Sequence, residues 1–243
     1  MLQQAWYSLG HMAVASYAQL MLKMDISWHT PLPGGPKIIA ANHPTTADPV
    51  WITRLTSEPM HILITEMCFK VPLVGRSLRM AGHVPVVDGQ GRAAFREAYR
   101  WLKEGQTVTI FPEGALSPLD GGVGKAHTGV ARLALTAGVP VIPVGIHLQH
   151  ERIHCIETTV DGKTEMARWY LRGPYAITAG EPMRLEGAVE DRDYVRSASE
   201  RIMQRIAQLT RESARRMQMP EALHTPTSGR SMLARAGTLD HGH

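Results

Sequence analysis

With 243 residues, 44% of them apolar and 20% charged, the chain is long enough for one α/β domain with a sizeable core and has the mix of a folded globular protein, not of a disordered or fibrous one. Lys and Arg number 26 against 22 Asp and Glu, a net charge of +4 that mildly favours anionic partners such as phospholipid headgroups or nucleic acid. Cys68 and Cys155 form no disulfide framework and no zinc spacing, no apolar run reaches the ~18 residues of a bilayer span, and no signal-peptide start is visible; the expectation is a reducing compartment, with the chain neither crossing a membrane nor leaving the cell.

The predicted elements begin with a helix in residues 1–24, where Leu2, Ala5, Trp6, Leu9, Met12, Ala13, Ser16, Tyr17 and Leu20 recur at helical spacing. A stripe of aromatic and methionine side chains ending at Lys23 suits a membrane headgroup boundary, and it suits equally a terminal helix packed on its own core. After a turn at 31–35 the residues Lys37 to Ala41 read as a buried strand, followed by a helix from Pro49 to Thr56 and strands from His61 to Thr65 and His83 to Val87. A helix from Arg92 to Lys103 puts Phe95, Ala98, Trp101 and Leu102 on one face. A strand from Thr107 to Phe111, a helix from Val130 to Ala137 stopped by Gly138, and strands from Val141 to His147 and Tyr175 to Ala179 come next. The last helix, Asp191 to Met217, turns Tyr194, Ala198, Ile202, Ile206 and Leu209 inward and keeps Arg201, Arg205, Arg211, Arg215 and Arg216 mostly outside, as a solvated face or a lipid contact. Strand and helix alternate, which predicts an α/β fold with parallel pairs over a single body, 25–218. Residues 219–243 lack periodicity and are expected to be a disordered tail.

Chemistry concentrates after the first predicted core strand, in Asn42-His-Pro-Thr-Thr-Ala-Asp-Pro49. Open α/β sheets place their sites at such strand ends. Residues five apart on a helix are rotated by roughly 140°, so His43 and Asp48 meet only if the chain curls. Pro44 disfavours helical dihedrals at His43, and Asp48-Pro49 has the look of an N-cap followed by proline at the first helical position. A carboxylate on one imidazole nitrogen would fix the tautomer and leave the other nitrogen to take a proton from a hydroxyl; a satisfied loop histidine beside a helix cap has the same spacing.

Three blocks occur in order: Asn42-His43 with Asp48-Pro49, then Phe111-Pro-Glu-Gly114, then Val139-Pro-Val-Ile-Pro143. Over roughly residues 25–185 the chain resembles the glycerolipid acyltransferase family, which includes the bacterial lysophosphatidic acid acyltransferases. The resemblance implies a mixed, largely parallel central sheet flanked by helices, the glycerol-3-phosphate acyltransferase-like fold, with the N-terminal amphipathic helix at the membrane interface and 25–218 as catalytic domain. It implies His43 as general base and Asp48 as its orienting carboxylate, moving an acyl group from an acyl-CoA or acyl carrier protein co-substrate, with no other cofactor, to a lysophospholipid hydroxyl. Glu113 and Gly114 would shape the acceptor site, and Lys125 stands at a basic position of the family. The implied partners are a phospholipid surface, the acyl donor and the lipid acceptor, not nucleic acid, and the implied location is cytoplasmic, peripheral on the inner face of the membrane.

Two departures bear on the acceptor. Relatives often continue the Phe-Pro-Glu-Gly block with Thr-Arg-Ser, here Ala115-Leu116-Ser117, and often follow the strand-end aspartate with arginine, where Asp88 is followed by Gly89 and Arg92 is the nearest cation. Either Arg92 and Lys125 compensate or the acceptor is a lipid alcohol without a phosphate. Gly121-Gly-Val-Gly-Lys125 fails as a phosphate loop, since position 119 is Leu and Ala126 follows the lysine; no Gly-x-Ser-x-Gly elbow exists; His147, His150 and His154 read as a strand end entering a polar loop without a matching carboxylate set, and no required metal is expected. A non-catalytic lipid-binding module and a thioesterase using the same pair on water are the rival classes.

Overall fold

The computed structural model describes residues 15–160 and 162–218. Helix α1 is described over 15–21 and stops short of the expected end at 24, because Met24 already opens β1; residues 1–14 of the expected helix and the expected tail lie outside the described residues. The other elements are β1 (Met24–Trp28), β2 (Lys37–Ala41), α2 (Asp48–Trp51), β3 (Met60–Thr65), α3 (Glu66–Lys70), α4 (Val74–Met80), β4 (Val84–Val86), α5 (Gly91–Lys103), β5 (Thr107–Ile110), α6 (Gly129–Ala137), β6 (Val141–Leu148), β7 (His154–Val160), β8 (Lys163–Trp169), β9 (Tyr175–Ala179) and α7 (Arg192–Gln218).

A seven-stranded sheet has the order β1-β9-β6-β2-β5-β3-β4. β6, β2, β5, β3 and β4 run parallel, while β9 is antiparallel to β6 and β1 parallels β9. The sheet is therefore mixed and largely parallel: the parallel pairs are those the alternating pattern predicts, and the mixed order is the one the family resemblance implies. β2 is buried on both faces, which is why Lys37-Ile-Ile-Ala-Ala41 is a continuous apolar run and not an alternating one. Ile38 and Ala40 pack with Ala98, Leu102, Val130, Leu133, Val195 and Ile202 under α5, α6 and α7; Ile39 and Ala41 face the opposite cluster with Trp51, Ile52, Phe69 and Tyr175.

Gly145 in β6 explains how α7 gets so close to the sheet: a Cβ there would fall 2.1 Å from the Thr210 nitrogen, so only glycine fits. Gly138 closes α6 in the left-handed region at φ 68°, the expected helix stop. Asp191 begins α7 by accepting the Tyr194 N–H at 2.9 Å.

Several sequence expectations need correction. The helix expected over Pro49 to Thr56 is one short α-helical turn that tightens into a 3-10 helix, Ile52–Leu55. Asp48 is not the N-cap; Ala47 takes that position, because the Asp48 carboxylate is engaged elsewhere. Arg216 is not on the outer face: its guanidinium turns in to Asp25 at 2.7 Å, Thr178 at 2.6 Å and the Ile177 carbonyl at 3.0 Å. β1, α3, α4 and the β7-β8 hairpin are additions, and His154 opens a strand where a polar loop was expected. The described end of α1 packs on the body, with Leu22 at 0% exposure and Tyr17 stacked on Trp51 at 5.4 Å, while Leu20 and Met21 on its other side stay exposed.

Candidate active site

β2 is the strand on which the chain order turns, since β5 follows on one side and β6 on the other, and such switch points are where open α/β sheets bind ligands. Asn42 ends β2 by continuing its ladder with a side chain: Nδ2–H donates to the Ile146 carbonyl at 2.9 Å and Oδ1 accepts the Ile146 N–H at 2.7 Å. That substitution keeps β6 paired while the backbone leaves the sheet, and the next residue, His43, is thrown into the loop.

The loop curls as the spacing requires. His43 Nδ1–H donates to Asp48 Oδ2 at 2.9 Å, the direction a carboxylate acceptor dictates. Asp48, at 0% exposure, also accepts from the Thr45 N–H at 2.7 Å, the Thr45 hydroxyl at 2.6 Å and the Tyr175 hydroxyl at 2.7 Å. A fully buried carboxylate is tolerated because every acceptor position is filled. The His43 ring stacks on Phe111 with centroids 4.1 Å apart and keeps 17% side-chain exposure, and its second nitrogen bonds nothing among the described residues. The ring is thus held on one nitrogen and one face and open on the other nitrogen.

Glu113 is turned inward at 6% exposure. Its carboxylate accepts the His43 N–H at 3.0 Å, the Ser117 hydroxyl at 2.6 Å and the Gly124 N–H, so it ties together the loops after β2 and β5 and the loop before α6. Ser117 pairs with His43 in both directions, N–H to the His43 carbonyl at 2.8 Å and Oγ accepting the His43 N–H at 2.8 Å. Gly114 makes the turn at φ 66°, and a Cβ there would stand 3.0 Å from the His127 ring. Lys125 is exposed and follows Gly124 directly, at the margin of this cluster. Arg92 is exposed at the start of α5, beyond β4, which lies three strands from β2, about 14 Å at ordinary spacing. The structure therefore gathers His43, Asp48, Glu113 and Gly114, sets Lys125 beside them and leaves Arg92 further along the edge.

Sequence reasoning missed Thr45, Ser117, Tyr175 and Arg168. Tyr175 reaches Asp48 because β9 is antiparallel: its first residue pairs with Leu148, the last of β6, and so falls on the edge where the parallel strands end. Burial first, and then the Asp48 charge, hold its hydroxyl well above the usual tyrosine range, so it remains a donor. Arg168, on β8, donates to the Ser117 carbonyl, and its backbone pairs with Thr46 at 2.9 Å in both directions. Among the described residues no group of three His, Cys, Asp or Glu side chains is arranged to hold a metal ion.

A histidine held by a buried aspartate at the carboxyl edge of a mixed sheet has the geometry that can take a proton from a hydroxyl or a water. Comparison with known proteins gives this geometry its family. The family model described as Acyltransferase matches residues 23–147, just over half of the chain, and the chain belongs to that family. It is 29% identical over 117 residues to a Pseudomonas aeruginosa protein named 1-acyl-sn-glycerol-3-phosphate acyltransferase; the match takes in 46% of this chain and 45% of that relative, so it spans about half of the relative's length. The crystal structure of the 1-acyl-sn-glycerophosphate (LPA) acyltransferase PlsC from Thermotoga maritima shares the fold, with a TM-score of 0.60 at 23% identity over 90% of this chain and 80% of that one.

Proposed function

We propose that the chain transfers a fatty acyl group from an acyl-CoA or acyl carrier protein thioester to the free hydroxyl of lysophosphatidic acid or a closely related glycerolipid. The observation that carries this reading is the 2.9 Å bond between His43 Nδ1 and the buried Asp48, which leaves the opposite nitrogen of a partly exposed ring without a partner among the described residues. The acceptor hydroxyl gives its proton to that nitrogen as its oxygen attacks the thioester carbonyl carbon. The tetrahedral adduct then collapses, the C–S bond breaks, and the leaving thiolate takes the proton back from the imidazolium. Asp48 stabilises the imidazolium between these two transfers. Glu113 holds the His43 backbone in place through this sequence.

The names carried by the Pseudomonas and Thermotoga relatives support a lysophosphatidate acceptor. A membrane-peripheral location on the cytoplasmic face fits the exposed apolar side chains of Leu20, Met21, Trp169 and Leu171, and no helix among the described residues is long and apolar enough to cross a membrane. The test is turnover of acyl-CoA by the full chain with lysophosphatidate and, separately, with monoacylglycerol, with products identified by mass spectrometry. His43→Ala is expected to lose about 10²- to 10⁴-fold. Equal rates in wild type and variant would remove His43 as base, and free fatty acid appearing at one rate with or without acceptor would replace the transferase with a thioesterase.

A further inference from the structure

Arg168 lies against the His43 loop and the Ser117 loop at once. Strand β8 is joined to the loop between His43 and Asp48 by two hydrogen bonds at 2.9 Å, the Thr46 N–H donating to the Arg168 carbonyl and the Arg168 N–H to the Thr46 side-chain hydroxyl. From there the guanidinium crosses to the second loop, where Nη1 donates to the carbonyl of Ser117, the residue paired with His43 in both directions. That is the guanidinium's one hydrogen bond among the described residues; Nε is buried and has no partner. No carboxylate of the described residues forms an ion pair with it.

A half-buried guanidinium without a counter-charge is costly, and a bound anion relieves that cost. The other cations near the site are less suited: Lys125 is exposed on a loop and Arg92 belongs to the far side of β4. We propose that Arg168 binds the phosphate of the acceptor, so that the β7-β8 hairpin is the clamp selecting a phosphorylated glycerolipid. The proposal rests on the acyltransfer reading above. The free hydroxyl and the phosphate of a lysophosphatidate share one glycerol arm, so the cation that holds the phosphate must stand close to the base that takes the proton. A planar guanidinium meets a phosphate monoester with paired, charge-assisted hydrogen bonds.

The test pairs turnover with binding on the full chain, in wild type, Arg168→Gln and Arg168→Lys. Turnover is measured with lysophosphatidate and with monoacylglycerol at several acyl-CoA concentrations; glycerol 3-phosphate and glycerol are titrated by calorimetry. Arg168→Gln is expected to lower kcat/KM for lysophosphatidate about 10- to 100-fold, mainly through KM, and to weaken glycerol 3-phosphate by a similar factor. The loss with monoacylglycerol is expected to be about tenfold smaller or less, and Arg168→Lys to recover part of the affinity because it keeps the charge without the fork. Equal losses on both acceptors would make Arg168 a support of the loops only and overturn the proposal. A change confined to the KM for acyl-CoA would assign the residue to the donor and overturn it as well. Should wild type acylate neither acceptor, the acyltransfer reading falls on turnover alone and the titration still decides: glycerol 3-phosphate binding that Arg168→Gln abolishes upholds the anion site, while equal binding, or none in wild type, overturns it.

Discussion

Replacing Tyr175 by phenylalanine removes one hydroxyl from the centre of the site and leaves its shape unchanged. The hydroxyl donates to Asp48 Oδ1 at 2.7 Å, and both residues are at 0% exposure, so no water takes its place. A hydrogen bond to a charged group contributes about 1.5–3 kcal/mol. Asp48 keeps its bonds from the Thr45 N–H, the Thr45 hydroxyl and His43, so the carboxylate is loosened, not freed. The expected cost in stability is that of one such bond, a fall in Tm of about 3–12 °C for a chain of this size. The transition state can lose no more than the whole bond, so kcat/KM should fall by at most about 100-fold. Asp48→Asn, which offers the ring an amide instead of a carboxylate, should lose about 10⁴-fold. Because the Tyr175 hydroxyl stays protonated through neutral and mildly alkaline pH, the Tyr175→Phe deficit should be constant across that range. Thermal unfolding and steady-state turnover of the three proteins decide the matter. A Tyr175→Phe protein with wild-type Tm and wild-type rate refutes the positioning argument, and one as inactive as Asp48→Asn refutes the claim that Thr45 shares the task.

Glu113→Gln has one acceptor oxygen for the donors that now converge on the carboxylate and brings an amide N–H against them; it should destabilise by about 2 kcal/mol or more and lower activity together, as urea unfolding and turnover can check. Asn42→Ala leaves both Ile146 backbone groups unpaired in a site 2% exposed, a cost of about 2–5 kcal/mol measurable by the same unfolding assay. His83 is pushed down from 6.5 to about 4, by burial first and then by His61, so the folded chain keeps it neutral while the unfolded chain takes a proton below 6.5. Its contribution is complete above pH 6.5 and is lost as the pH drops toward about 4, so urea midpoints should slope less steeply over that window in His83→Gln, whose carbonyl can still accept the Ile62 N–H; an unchanged slope counts against this.

The parts of the fold legible in the sequence are those with a strong local signal. Lys37 to Ala41 and Tyr175 to Ala179 are buried runs with abrupt ends, and the helix over 91–103 has a wide apolar face. β1 was hidden because Asp25 interrupts a short half-buried edge strand that follows a helix almost directly. The β7-β8 hairpin was hidden by its exposure: among its described positions only Val160, Ala167 and Arg168 are partly buried, so it has no apolar face to alternate, and the readable cue in the sequence is the Asp161-Gly162 pair between runs that contain threonine. At the site, the His43–Asp48 contact was legible because three blocks in order resemble the acyltransferase family; Pro44 and the spacing show only that such a contact needs a curl within six residues. Tyr175, 127 residues from Asp48, and Arg168, 122 from Thr46, depend on sheet order, which no local pattern encodes.

The reversed direction of β9 sets a lower bound on how far this protein can be pared down. A polypeptide cut at residue 147, where the family match ends, would keep the histidine, its aspartate and the glutamate, yet it would strip β6 both of its outer neighbour β9 and of the helix α7 that packs on it. The motif residues would survive on a scaffold with a raw, sticky flank and an aspartate short of one donor. Transplanting the motif segment alone into another open sheet should therefore fail, whereas a graft carrying the return strand with it has the full set of donors to the aspartate.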